Sequence, residues 1–205
     1  SWHGVTTAVM GNCGVGFAPA HEERHEWLIE LMEGVEDIPG AAMTEGLQWG
    51  WTSFTEYMDV LAKQPRIMDL GVQIAHGALR AFVMGDRGAA NESATPDDIA
   101  AMSRMVQEAI EHGALGFSTS RTPIHRSKSG ELVPGTTAGT DELFGIAAAP
   151  VPRGTFRVMC LTLIHRPDLD HALQRMIEVN HVIRSLPQLS LTPGASTTFL
   201  DVELP

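Results

Sequence analysis

The sequence predicts an α/β fold in which helices cover a parallel sheet. Short apolar segments alternate with longer segments whose apolar residues recur at helical spacing, and glycine or proline stands where one element gives way to the next. This alternation of strand and helix is typical of parallel sheets. The pattern is compatible both with an open, doubly wound sheet and with a closed barrel.

The first predicted strand spans residues 5–10 and is followed by a cysteine among glycines. Its residues are all apolar or β-branched, which is typical of a strand buried on both faces. Gly11, Gly14 and Gly16 free the backbone where the strand ends, and Cys13 lies among them. A thiol at this position can bind a metal or attack a substrate. The alternative is a small, buried hydrophobic side chain.

Further elements are predicted along the chain before residue 149. They are helices over residues 22–33, 54–62, 96–112 and 141–148, and strands over residues 67–74 and 114–117. Ser53 and Glu56 form a capping box at the start of one helix. Thr95 is an N-cap for the next, with Pro96 at the first helical position and acidic residues in the first turn. Residues 35–51 are predicted to be a turn-rich link and a tryptophan-rich loop.

Composition excludes several classes of protein. The 205 residues are 43% hydrophobic and 19% charged, and no apolar run reaches the length of about 18 residues that a membrane span needs. The net charge of −11, with 14 basic against 25 acidic residues, argues against nucleic acid as a partner. Two cysteines do not make a disulfide framework and no signal peptide is visible, so a cytoplasmic location is expected.

Four segments carry a family resemblance: GVTTAVMGNCGVGFAP, WLIELMEGVEDIPG, QIAHGALRAFVMG and ALGFSTSRTPIHRSKSGELVPGT. Together they resemble, in register over residues 1–147, the N-acyl-D-amino-acid deacylase (D-aminoacylase) branch of the amidohydrolase superfamily. The resemblance implies a metal-dependent (β/α)8 barrel, which typically needs about 250 residues. Residues 1–149 are therefore predicted to be a partial barrel that lacks an N-terminal segment.

Residues 150–205 do not match the family clearly and are predicted to be a separate tail. Residues 155–160 can form one strand and residues 169–183 one amphipathic helix, after which the chain is rich in serine, threonine and proline. No function is assigned to this tail.

The resemblance implies a site in which Cys13 is a ligand of a catalytic Zn²⁺ ion. Zinc-activated water would attack the amide of a small N-acyl amino acid. The family's His-x-His pair is not found before Cys13, and one thiolate is too few for a site that needs about three protein ligands. The predicted ligand set is therefore incomplete in this chain.

Five further residues are predicted to contact the substrate. They are His76, Arg80, Ser118, Arg121 and His125, which follow or end predicted strands, where barrels of this kind place their sites. Each has a structural alternative: a histidine within the scaffold, an arginine paired with an acid of the scaffold rather than with a carboxylate of the substrate, or a polar loop.

One motif and two other functions compete with this interpretation. Residues 21–25 match H-E-x-x-H, but their charged surroundings favour an exposed helix start over a zinc-protease site. The chain could also be an inactive fragment or pseudo-enzyme, which the missing histidines favour. A cysteine hydrolase with Cys13 as nucleophile and His76 as base would need those side chains within hydrogen-bond reach.

Overall fold

The computed structural model describes residues 4–148 and the backbone of residues 158–161. Its strands form one parallel sheet in the order β1-β2-β3-β4, which confirms the predicted α/β class. The strands are β1 Thr7–Met10, β2 Asp69–Ala75, β3 Gly116–Ser120 and β4 Val158–Leu161. The described strands do not close into a barrel.

Helices connect the strands and cover one face of the sheet. They are α1 His25–Glu36, α2 Gly40–Gly46, α3 Phe54–Lys63, α4 His76–Met84, α5 Asp86–Ala89, α6 Pro96–Glu111 and α7 Thr140–Ala147, and a 3-10 turn, Glu22–Arg24, precedes α1. No described helix is both long enough and apolar enough to cross a membrane. The predicted helix over residues 169–183 lies outside the described residues.

The predicted capping box at Ser53 and the predicted N-cap at Thr95 are both confirmed. The Oγ of Ser53 accepts a hydrogen bond from the amide of Glu56 at the start of α3, and the Oγ1 of Thr95 accepts one from the amide of Asp98 at the start of α6. A cap of this kind stabilises its helix by about 1 kcal/mol. Both helices therefore begin where the sequence places them.

The hydrophobic core lies between the sheet and helices α4, α6 and α7. Alternate residues of a strand point to one face, so β2 and β3 each contribute side chains to this layer. The buried residues that form it include Val72, Ile74, Phe117, Leu79, Met102, Val106, Ile110 and Ile146. Each fully buried aliphatic or aromatic side chain contributes about 1.5–3 kcal/mol.

The structure corrects the prediction for the first strand. β1 is shorter than predicted and is not buried on both faces, since Val5 and Val9 are 51% and 39% exposed. Among the described residues, β1 pairs only with β2, so it lies at an edge of the sheet. Apolar composition alone does not distinguish an edge strand from a central one.

Three other boundaries also differ from the sequence predictions. Helix α2 lies within the predicted turn-rich link, and α4 begins at His76 directly after β2 with no turn residues between them. β3 starts at Gly116 and continues to Ser120, so Ser118 lies within the strand rather than in a loop after it. No glycine or proline separates α4 from β2, which leaves little local signal there. At α2 the signal is ambiguous, because Pro39 and the glycine that follows it are typical of a turn as well as of a helix start.

Candidate functional site

The loop after β1 packs against the ends of β2 and β3, and two glycines make this possible. Gly11 and Gly14 have positive φ angles of 87° and 74°. A Cβ atom would lie 2.6 Å from the carbonyl oxygen of Gln73 at the first position and 2.6 Å from the amide nitrogen of Ser120 at the second. Only glycine tolerates both the angle and the contact. The loop thereby brings Cys13 to the C-terminal edge of the sheet.

Cys13 is half-buried and lies beside a carboxylate. Its Sγ is 3.4 Å from the Oε1 of Glu36 and 4.0 Å from the carbonyl oxygen of Val15. Burial raises the pKa of the thiol to about 11, and the negative charge of Glu36 acts in the same direction. The thiol is therefore protonated at neutral pH unless a cation replaces its proton.

His125 interacts with the same carboxylate. Its Nδ1 lies 3.2 Å from the Oγ of Ser120, the last residue of β3. Burial lowers the pKa of His125, and the charge of Glu36 partly offsets that effect. We call Cys13, Glu36, Ser120 and His125 the rim cluster. It combines a thiol, a carboxylate, a hydroxyl and an imidazole at one end of a parallel sheet.

His76 is fully buried behind the sheet edge and is held at both ring nitrogens. Its Nε2 lies 2.8 Å from the Oε1 of Glu142, and its Nδ1 lies 2.8 Å from the Oγ1 of Thr119. Burial lowers the pKa of His76 despite the neighbouring carboxylate. The contacts fit a neutral imidazole that donates from Nε2 to Glu142 and accepts the hydroxyl proton of Thr119 at Nδ1.

Arg80 completes this buried network. It is also fully buried, and its Nη1 donates to both carboxylate oxygens of Glu142 at 2.5 Å, while its Nη2 donates to the carbonyl of Glu92. Burial opposes the ionisation of Glu142, but the hydrogen bonds and charges of His76 and Arg80 outweigh it and lower the pKa of the carboxyl. We call His76, Arg80, Thr119 and Glu142 the buried network.

The other two predicted substrate contacts are buried as well. Ser118 donates its hydroxyl proton to the carbonyl oxygen of Gly11 and so fastens the loop after β1 to β3. Arg121 is 6% exposed, and its Nη1 donates to the carbonyl oxygen of Ala138 at 2.6 Å. Of the five predicted contacts, only His125 lies in the rim cluster with Cys13. A substrate role for the other four stays a prediction.

Two alternative sites from the sequence are not formed. The thiol of Cys13 contacts Glu36 and both nitrogens of His76 are engaged elsewhere, so the cysteine–histidine pair of a cysteine hydrolase is absent from the structure. In the H-E-x-x-H segment, His21 stacks on Phe82 and His25 stacks on Trp49, with ring centroids 3.9 and 3.6 Å apart. The two histidines therefore pack against different aromatic rings.

The described residues do not form a metal site by themselves. No group of three or more His, Cys, Asp or Glu side chains that could hold a metal ion is found among them. Zinc accepts thiolate and carboxylate ligands, and Cys13 and Glu36 present one of each at 3.4 Å separation. Two such groups are fewer than the three protein ligands that a catalytic zinc site needs, so the role of Cys13 as a metal ligand stays a prediction.

Sequence reasoning missed Glu36 and Glu142. Glu36 ends α1, two residues beyond the glycine that was predicted to stop the helix, and lies close to Cys13 only because α1 packs beside the loop after β1. Glu142 lies in the first turn of α7, where an acidic residue is ordinary. Because a buried arginine is nearly always paired with an acidic residue, Arg80 could have indicated that such a partner exists, but not that it is Glu142.

Comparison with known proteins finds several deacylases among the relatives of this chain. No protein-family profile matches the chain. D-aminoacylase of Alcaligenes xylosoxydans xylosoxydans is 32% identical over 132 residues, which are 63% of this chain and 24% of that protein. N-acyl-D-aspartate deacylase of the same organism is 28% identical over 183 residues, which are 89% of this chain and 32% of that protein. The chain thus spans about a quarter to a third of the length of these relatives.

Solved structures agree with the sequence relatives. The crystal structure of N-acyl-D-glutamate deacylase from Bordetella bronchiseptica, complexed with zinc and a phosphonate inhibitor, matches with a TM-score of 0.59 and 26% identity over 89% of this chain and 32% of that chain. A crystal structure of D-aminoacylase matches with a TM-score of 0.55 and 26% identity over 89% of this chain and 33% of that chain. The chain is therefore a homologue of the D-aminoacylases and related N-acyl-D-amino-acid deacylases of the amidohydrolase superfamily.

Proposed function

We propose that the protein carrying this chain is a zinc-dependent hydrolase of N-acyl-D-amino acids and that Cys13 is one of its metal ligands. The position of Cys13 supports this most directly, because its thiol lies at the C-terminal edge of a parallel sheet beside a carboxylate and near an imidazole. In barrels of this class the active site occupies that edge. The names of the relatives supply the substrate class.

The parallel sheet fits this proposal as one arc of a (β/α)8 barrel. β1 pairs on one side only among the described residues, and Val9 in β1 and Val5 just before it are exposed. Further strands pairing with this edge would bury those side chains and remove the open edge. We also propose a cytoplasmic location, because the two cysteines of the sequence do not make the disulfide framework that is typical of small secreted proteins.

The chemistry of the rim cluster follows from its residues. A bound zinc ion supplies Lewis-acid activation of water near neutral pH. Cys13 must lose its proton to act as a ligand, and Glu36, at 3.4 Å, is the nearest group able to accept it. His125 and Ser120 form a hydrogen-bonded pair that can orient or protonate a polar group of the substrate.

The buried network has a supporting role in this proposal. Through Thr119 it fixes β3 immediately beside Ser120, and through Glu142 it ties α4 to α7. Because all its polar atoms named above are buried, it acts on the rim cluster by holding its position. His76 and Arg80 are therefore proposed to position the site.

The test uses the protein expressed from its natural gene. We expect it to release amino acid from N-acetyl-D-methionine, N-acetyl-D-aspartate or N-acetyl-D-glutamate but not from the L-enantiomers, to lose activity with a chelator, and to regain it with zinc. Cys13→Ser should lose both zinc and turnover, whereas the matched control Cys160→Ser should keep both. Zinc-replete protein without D-deacylase activity, or full activity in Cys13→Ser, would contradict the proposal.

A non-catalytic role is the second candidate. It is favoured by the absence, among the described residues, of a group of three or more side chains able to hold a metal. The same experiment separates the two functions, because a non-catalytic protein would leave every N-acyl-D-amino acid intact even after zinc is added at saturating concentration.

A further inference from the structure

The chain between β3 and α7 folds back on itself as a short hairpin over residues 125–135. Within it, Arg126 and Leu132 form an isolated antiparallel bridge, and the amide of Val133 donates to the carbonyl oxygen of His125 at 3.3 Å. We call residues 125–135 the rim hairpin, because its first residue is the histidine of the rim cluster. The position of that imidazole therefore depends on what holds the hairpin.

Asn91, in the turn after α5, binds the returning arm of the rim hairpin through three hydrogen bonds. Its Nδ2 donates to the carbonyl oxygens of Leu132 and Val133 at 3.1 and 3.3 Å, and its Oδ1 accepts the amide proton of Gly135 at 2.8 Å. The donor side of the amide faces two acceptors and the acceptor side faces one donor, so one orientation of the side chain satisfies every contact. Asn91 is thus matched to the main chain of the hairpin.

Both partners in this contact are themselves held in place. Asn91 has a φ angle of 58°, which asparagine tolerates better than most residues, and its backbone amide donates to the carbonyl oxygen of Gly88 at 3.2 Å. On the hairpin, Gly135 packs on the ring of the fully buried His76, where a Cβ atom would lie 2.5 Å from the Nδ1. The three hydrogen bonds therefore join the turn after α5 to the point where the hairpin meets the buried network.

The rim hairpin has two further side-chain contacts with its surroundings. The Nζ of Lys128 lies 3.1 Å from both carboxylate oxygens of Glu33 on α1, but these side chains are 65% and 26% exposed. An exposed ion pair contributes little to stability. Arg121 donates to the carbonyl oxygen of Gly135, at 3.3 Å. Asn91 therefore makes the more extensive contact with the hairpin.

We propose that Asn91 is a positioning residue for the hydrolysis, which holds the rim hairpin so that His125 stays beside Ser120 and within reach of the substrate. The inference rests on the proposed deacylase function, in which His125 and Ser120 orient or protonate a polar group of the substrate. Asn91 acts through the main chain of the hairpin, since its three side-chain hydrogen bonds all end there. A displacement of about 1 Å in a catalytic group can lower the rate about a hundredfold.

Asn91→Gly tests the proposal in the zinc-loaded protein expressed from its natural gene. Glycine accepts the positive φ angle but removes all three hydrogen bonds, so backbone strain does not contribute to the result. We expect kcat to fall about tenfold while KM and zinc content stay unchanged, because the lost positioning acts on the transition state. The matched control on the same hairpin, Lys128→Gln, should keep the kcat of the wild type. An unchanged kcat or a loss of zinc in Asn91→Gly, or an equal loss of kcat in Lys128→Gln, would overturn the proposal.

The double variant Asn91→Gly/His125→Gln shows whether Asn91 acts through His125. His125→Gln removes the imidazole and should lower kcat about a hundredfold, which is the typical contribution of a general acid or base. If Asn91 acts through that ring, adding Asn91→Gly should lower kcat no further, because both changes remove the same contribution. Losses that multiply, or a full kcat in His125→Gln, would overturn the proposal.

Hydrogen exchange separates this proposal from the deacylase function. The amides of residues 125–135 should exchange about tenfold faster in Asn91→Gly than in the wild type or in Lys128→Gln, measured by mass spectrometry. Unchanged exchange would overturn the proposal even in an active deacylase. Faster exchange in a protein that hydrolyses no N-acyl-D-amino acid would contradict the proposed function while confirming that Asn91 holds the hairpin. If Asn91→Gly does not fold, Asn91→Asp replaces it with the same outcomes, since it keeps the acceptor for Gly135 but loses both donor contacts.

Discussion

The Sγ of Cys13 lies 3.4 Å from the Oε1 of Glu36, which ends the helix that follows the first strand. This contact joins the loop after β1 to the far end of α1. Burial raises the pKa of the thiol, and Glu36 adds to that effect. The carboxylate also places a proton acceptor beside the thiol for when a metal binds. The same carboxylate acts on His125, so one residue couples the two groups of the rim cluster most suited to chemistry.

We expect the Cys13 thiol to react slowly. With its pKa raised from 9.0 to about 11, metal-free Cys160→Ser protein should be alkylated at Cys13 about a hundredfold more slowly at pH 8 than an ordinary thiol. Glu36→Gln removes the adjacent negative charge and should speed the reaction, whereas Glu30→Gln on the exposed face of α1 should not. The measurement is the rate of iodoacetamide labelling. Equal rates in the two variants would contradict a role for Glu36.

The raised pKa of Cys13 also makes the free energy of unfolding depend on pH in the alkaline range. Because the folded pKa is the higher one, the contribution of Cys13 is fully present below pH 9.0 and is lost as the pH rises towards about 11. The free energy of unfolding should therefore fall more steeply over this window in the Cys160→Ser protein than in the Cys13→Ser/Cys160→Ser protein. Urea denaturation of both proteins at several alkaline pH values measures the difference.

Breaking the buried network should be costly. Glu142→Gln leaves the Arg80 guanidinium buried without an opposite charge, and we expect the free energy of unfolding to fall by about 3–5 kcal/mol. The matched control is Asp59→Asn, which breaks a surface pair with His112 whose side chains are 41% and 57% exposed. That change should cost less than about 1 kcal/mol. Urea denaturation measures both changes. A similar loss of free energy of unfolding in the two variants would contradict the burial of the network.

Acid should destabilise the protein in two stages. Burial lowers the pKa of His76, so its contribution is present above pH 6.5 and is lost as the pH falls below that value. The lowered pKa of Glu142 removes further stability only below pH 4.5. His76→Gln should flatten the first stage, measured as the change in free energy of unfolding between pH 7 and pH 5. If the free energy of unfolding changed as much in His76→Gln as in the wild type, groups other than His76 would cause the first stage.

Two glycine substitutions separate backbone strain from close packing. Gly14→Ala combines a positive φ with a Cβ placed 2.6 Å from the amide nitrogen of Ser120, whereas Gly130→Ala has a positive φ but nothing within 4 Å. We expect Gly130→Ala to cost about 1–2 kcal/mol and Gly14→Ala to cost more. Thermal unfolding of both variants tests this. Equal losses would mean that the loop after β1 does not press against β3.

Local sequence patterns were sufficient to predict the class of fold, several helix starts and the position of Cys13. Strand–helix alternation predicts a parallel sheet, and the capping boxes at Ser53 and Thr95 depend on residues three positions apart, so local sequence is sufficient for them. The placement of Cys13 after a strand is equally local. The same reasoning failed at α2, whose N-cap and first residue, Pro39 and Gly40, are also typical of a turn, and at α4, which no turn residue separates from β2. It failed at β1 because apolar composition does not reveal that, among the described residues, the strand has one neighbour.

Which side chains meet at the site depends on the packing of distant segments and could not be predicted from the sequence. Glu36 and Cys13 are 23 positions apart, and Glu142 and His76 are 66 apart, so no spacing in the sequence links them. The burial of His76 and Arg80 was not predictable either. Their position at the end of a predicted strand suggested contact with substrate, whereas both are fully buried in the structure. Contacts between distant segments depend on how helices pack on the sheet, and packing depends on the whole set of side chains that fill the core.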